Sequence, residues 1–180
     1  MPLADYQDSV FINCPFDSQY KALFDALVFA VHDAGFVARS ALEISDATQN
    51  RYDKILRTIS ECRYGVHDIS RTELDASTLL PRFNMPLELG LFLGCKKFGN
   101  RIQRTKSCLI VDREAYRYQR FISDLAGQDI YAHDNDPERA IGLVRDWLRT
   151  ESKRAGIPGG SHKRSIPPIP EGTSGDMRRA

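Results

Sequence analysis

The sequence predicts a single three-layer α/β domain built on a mainly parallel sheet of about five strands. Three observations predict it. Short β-branched or aromatic runs alternate with longer segments whose apolar residues recur at helical spacing, the pattern of strand–helix–strand units joined by right-handed crossovers. The length, 180 residues, suits one domain whose core is large enough to stand without covalent staples. The four cysteines, Cys14, Cys62, Cys95 and Cys108, form no CxxC pair and mostly fall inside apolar runs, so they read as reduced core thiols and not as a disulfide framework.

Residues 9–13 (SVFIN) are the first strand, stopped by Cys14-Pro15, and residues 20–35 repeat apolar side chains at helical spacing up to a glycine stop. A second short run at 36–42 precedes a polar loop at 43–50. Tyr52, Ile55, Leu56, Ile59 and Cys62 then mark the buried face of a second helix. Residues 64–69 (YGVHDI) read as a strand. A loop containing Pro81 leads to a helix over 86–97, with Pro86 in its first turn and its end near Gly99. Residues 107–111 (SCLIV) are the most apolar strand, and 130–132 form a final edge strand. Asp136-Pro137 starts a closing helix whose Ile141, Val144, Trp147 and Leu148 are spaced to face the sheet. The domain is expected to span residues 1–150. From Glu151 to Ala180 the composition changes to four prolines, five glycines and six Lys or Arg among thirty residues, a basic tail expected to be disordered because it has little apolar surface to bury.

A net charge of +1 gives no field strong enough to make nucleic acid or membrane the main partner. The polar, acidic first eight residues do not resemble a signal peptide, and no apolar run approaches the roughly 20 residues of a membrane helix. A cytoplasmic location is the expectation.

In an open parallel sheet, ligands bind beyond the carboxyl ends of the strands, where loops and helix N-termini converge. Three segments reach that edge: Asn13-Cys14-Pro15-Phe16-Asp17, His67-Asp68-Ile69-Ser70, and residues 82–88 (RFNMPLE). Glu88 stands out as an acid ahead of an apolar helix face. One reading is a first-turn glutamate that complements the helix dipole, worth about 0.3–1 kcal/mol; the other is a partly buried carboxylate set against a sugar carbon. Gly90 and Gly94 weaken a helix and so suggest close approach to strands or ligand. Asp68 ends a strand, where it either binds ribose hydroxyls or caps the following loop with Ser70 through an Asx-type turn. Arg82 and Asn84 either hold phosphate and amide groups or form a salt bridge and a helix N-cap. With Asn13, Pro15, Phe16, Asp17, Ser70 and Met85 they make up the candidate substrate-binding set. No phosphate loop, GxGxxG or GxSxG motif is present. His32, His67, His133 and His162 show no ligand spacing and read as surface or packing residues, so neither metal nor cofactor is expected.

In order along the chain, FINCPFD, ISECRYGVHDIS and MPLELGLFLGCKKF resemble the nucleoside 2-deoxyribosyltransferase group and its TIR (Toll/interleukin-1 receptor) relatives. The similarity covers residues 10–111. It implies a flavodoxin-like arrangement with Glu88 on the helix that carries the reactive glutamate, and Gly90, Gly94 and Lys96 matching that helix's glycines and lysine. Asp68 matches the strand-end acid. The resemblance further implies cleavage or transfer at the N-glycosidic bond of NAD or another nucleotide or nucleoside. Glu88 would act as nucleophile or oxocarbenium stabiliser, Asp68 would position the ribose, and Arg82 and Asn84 would lie near the base or phosphate. It also implies a homo-oligomer, a possible partner protein and a setting in bacterial antiphage defence. Two competing expectations are a non-catalytic nucleotide-sensing or assembly module of the same fold and, with least support, a nucleic-acid adaptor acting through the tail.

Overall fold

The odd and even residues of each central strand serve different layers. In β1 (Ser9–Asn13), Val10 and Ile12 join a core under one sheet face while Phe11 joins a core under the other, as the period-2 alternation of a strand requires. The same division holds for β3 (Tyr64–Asp68), with Tyr64 and Val66 on the first face. It holds again for β4 (Ser107–Asp112), with Leu109 and Val111 on the first face and Ile110 on the second. All five residues of β1 and of β3 are buried, which is why these strands read as continuous apolar runs.

The structure is a computed structural model and describes residues 5–42, 50–74 and 79–154. The two short strands are β2 (Val37–Arg39) and β5 (Ile130–Ala132). The sheet order is β2-β1-β3-β4-β5 with every pairing parallel. That is the flavodoxin-like order, whose switch point lies between β1 and β3. Helices α1 (Lys21–Asp33) and α4 (Pro137–Ser152) cover the first face, and α2 (Arg51–Ser60) and α3 (Asn84–Phe98) the second. On the first face Tyr64 meets both Phe36 and Trp147 edge-on, with ring centroids 5.4 and 5.9 Å apart. Each face also holds one fully buried thiol, Cys14 on the first and Cys62 on the second. No described helix is long and apolar enough to cross a membrane.

Four local expectations need correction. Tyr52 is 44 % exposed: it lies in the first turn of α2, where Lys54 and Thr58 share the covered side with Ile55 and Ile59. Helix α3 begins at Asn84, two residues before Pro86, because proline lacks only an N–H that the first turn leaves unpaired anyway. Strand β4 runs one residue further, to Asp112. Helix α4 continues past residue 150 to Ser152, and Arg154 beyond it pairs with Asp8 and lies over the Phe36 ring. The expected disordered tail, from 155 on, lies outside the described residues, as do residues 43–49 of the polar loop.

At the amino edge of the sheet, Lys106 is buried and its ammonium donates to the carbonyls of Ile59 (2.6 Å) and Cys62 at the end of α2. It also lies 4.5 Å from the Phe92 ring centroid. A cation at a helix C-terminus satisfies orphan carbonyls and the dipole together, although burial pulls its pKa down to about 8.

Candidate functional site at the carboxyl edge

Each of the three central strands ends in a buried polar residue: Asn13 on β1, Asp68 on β3 and Asp112 on β4. Alternation sends them to different faces, and each has distinct work. Asn13 Nδ2 donates to the Met85 carbonyl (2.8 Å) and to His67 Nδ1 (3.0 Å), so it ties the end of β1 to the first turn of α3. Because the amide nitrogen only donates, His67 Nδ1 must accept, and the ring proton sits on Nε2. That Nε2 is buried with no partner among the described residues and packs edge-on against Phe92, centroids 4.9 Å apart. Burial, and then the charge of Lys106, pulls the His67 pKa down to about 3, and the ring stays neutral.

Asp68 lies on the α1/α4 side. Its Oδ1 accepts from Ser70 N (2.7 Å), which is the Asx-type turn expected from the sequence, and its Oδ2 accepts from the Tyr20 hydroxyl and from His133 Nε2 (2.9 Å). His133 Nδ1 accepts from Asn135 N (3.0 Å), which fixes the proton on Nε2. Tyr20 remains a phenol, because burial and then the Asp68 charge push its pKa well up. Both Asp68 oxygens are thus occupied from within the chain, and this carboxylate anchors three loops. Above the cluster lies a crevice of about 490 Å³ between the start of α1, the β3 loop and the start of α4, lined by residues including Tyr20, Ser70, Arg71 and Arg113.

Glu88 is on the opposite face, carried by α3. It is the fifth residue of that helix, so it is not a first-turn cap; the N-cap position is Phe83 and no side chain caps the helix. The N-cap reading of Asn84 fails for the same reason, since Asn84 is the first helical residue and exposed. Glu88 is 8 % exposed and has no hydrogen bond or ion pair among the described residues. Burial raises its pKa to about 7, against a weaker opposing effect of Arg51. Cys14 lies between the two carboxylates: burial raises its pKa first, and then the charges of Asp68, Glu88 and Asp17.

The remaining expected residues divide between lip and scaffold. Asp17 pairs with Arg82 (3.0 Å) and more loosely with Arg71 (3.7 Å), which joins the β1 and β3 loops; this is the salt-bridge reading of Arg82. Phe16 is exposed beside Asp17 at a small hollow of about 230 Å³. Pro15 and Met85 are buried. Gly90 and Gly94 approach neither strand nor helix, since a methyl group at either position meets no atom within 4 Å. The close approach instead occurs at Gly65, where a Cβ falls 2.7 Å from His67 Nε2 and 2.9 Å from Phe92.

Sequence reasoning missed Tyr20, His133, Asp112 and Arg117. Asp112 Oδ1 accepts from Arg117 Nε (2.8 Å) and Arg113 N (2.7 Å), while Arg117 also reaches the Ile69 carbonyl at 2.8 Å. A polar residue closing an apolar strand was the available signal for Asp112, as it was for Asp68. Neither a protein-family model nor a curated protein matches the chain.

Proposed function

We propose that the protein cleaves, or transfers at, the N-glycosidic bond of NAD or a related nucleotide, with Glu88 as the carboxylate that meets the sugar. The observation that carries this reading is the state of Glu88: a desolvated carboxyl at the carboxyl edge of a parallel sheet, without a hydrogen-bond or ion-pair partner among the described residues and with a pKa near 7. A carboxylate kept from water interacts strongly with developing positive charge. Glycosidic cleavage builds such charge on the anomeric carbon.

The chemistry favours a leaving group that needs no proton. Glycosidases of the two-carboxylate kind pair a nucleophile or base with an acid, whereas Asp68 is committed to Tyr20, His133 and Ser70 and lies on the other face. One unpartnered carboxylate suits a pyridinium–ribose bond. The C–N bond breaks, its electron pair neutralises the ring nitrogen, nicotinamide departs uncharged, and Glu88 stabilises the oxocarbenium until water or another hydroxyl attacks and gives up its proton. Neutral-base nucleosides, which leave more easily when protonated, fit less well.

The test is release of free base from NAD, nucleotides and deoxynucleosides, followed by chromatography, for wild type and Glu88→Gln. Release from NAD that falls at least about 100-fold in the variant supports the reading. Binding of NAD without release in either protein sinks it and leaves a sensing or assembly module.

A further inference from the structure

Helix α3 is apolar on two opposite sides. Met85, Leu89 and Phe92, with Glu88, form its buried side. At 100° per residue, Phe83, Leu87, Gly90, Gly94 and Phe98 fall together on the side facing away, in a stripe about 80° wide, while Leu91 at its margin packs back against the core of that face. No charged residue falls within it. Phe83 is 69 % exposed, Leu87 53 % and Phe98 84 %. A helix apolar all round is ordinarily covered all round, but among the described residues only one side is covered.

The two glycines sharpen the point. Each costs about 1 kcal/mol relative to alanine in a helix interior, and no neighbour among the described residues requires either one. What they leave is a shallow saddle midway along the stripe, with Phe83 and Leu87 at one end and Phe98 at the other.

We propose that this face is the interface of a homodimer in which α3 packs on α3 of a second copy, crossing at Gly90 and Gly94. The stripe is self-complementary in the way a two-fold interface demands, where one patch must fit itself. With the axis near the saddle, the helices run antiparallel, the glycines let the backbones approach closely, and each Leu87 lies beside Phe98 of the other copy. Covering the stripe and its margins on both copies buries on the order of 1,200 Å², within the range of specific interfaces. The proposal does not depend on the chemistry assigned to Glu88.

Sedimentation velocity of the full chain from about 1 to about 100 μM tests it. The expected result is a species of twice the 20.4 kDa chain mass, with Leu87→Asp and Phe98→Asp each weakening dimerisation at least about 30-fold. Gly94→Leu, which holds the helices apart, should act likewise, whereas Tyr131→Asp on β5 and Glu88→Gln should leave the dimer intact. Circular dichroism melts check that each variant folds, and the three disruptive positions are independent of one another. A wild-type chain that stays monomeric at about 100 μM overturns the proposal and leaves the face to a different protein. A dimer that survives Phe98→Asp and Gly94→Leu overturns it too, since another surface then makes it.

Discussion

Asp68 and Glu88 are both buried acids near the end of β1, yet their surroundings set them apart. Asp68 receives three donors, and replacing it with asparagine turns an –NH₂ group either toward the Tyr20 hydroxyl and the His133 N–H or toward the Ser70 N–H. The expected cost is about 2–4 kcal/mol in urea unfolding at pH 7; an effect below about 0.5 kcal/mol would show that the cluster is not holding the loops. Glu88 has no such partners, which is why burial dominates its protonation. Both acids were legible in the sequence as polar interruptions of apolar runs. Their environments were not: Tyr20 and His133 lie 48 and 65 residues from Asp68, and no local pattern encodes that distance. The side of the sheet each acid faces depends on strand register, which spacing alone leaves open.

At the scale of elements, every strand and helix expected from periodicity is present, with ends displaced by a few residues. Helix α3 shows why ends are hard to read: Pro86 marks a first turn without saying which of its positions it takes. Its glycines were read as contact points, yet a methyl group at either meets no described atom within 4 Å, while the glycine that does make a close contact, Gly65, sits inconspicuously within a strand. Gly65→Ala should therefore destabilise the domain by about 1–3 kcal/mol, as overpacking against His67 and Phe92 does. The measurement is the shift in denaturation midpoint at constant slope. An unchanged midpoint would mean that the Phe92 ring moves aside freely.

For the molecule as a whole, two buried groups act on stability in opposite directions as pH changes. The folded state holds the Glu88 proton up to about pH 7, whereas an ordinary glutamate releases it near 4.5. Between those values the folded state binds more protons, so Glu88 lowers stability as pH rises from 4.5 to 7, by roughly 3 kcal/mol in all. His67 ordinarily takes up a proton near 6.5 but when folded only near 3, so its contribution is lost as pH falls from 6.5 toward 3. Across about 4.5 to 6.5 the two slopes offset each other. Glu88→Gln removes one of them: the variant should be more stable than wild type at pH 8 by up to that amount, and its stability should fall more steeply from pH 6.5 to 4.5. Parallel profiles for the two proteins across this window would show that Glu88 is not desolvated. The sheet order that brings these groups together was legible only as far as its parallel sense; that β1 would lie between β2 and β3 follows from packing two helices on each face, which no single segment of sequence specifies.

The division of the interior into two cores, each with one buried thiol, gives the protein a pair of internal clocks. Cys14 under α1 and Cys62 beside α2 react with a thiol reagent only when their own face of the sheet opens. Equal labelling rates mean that the faces part from the sheet in one concerted event. Unequal rates identify the face that loosens first, and the ratio of the rates converts directly into the difference in opening free energy between the two halves of the fold.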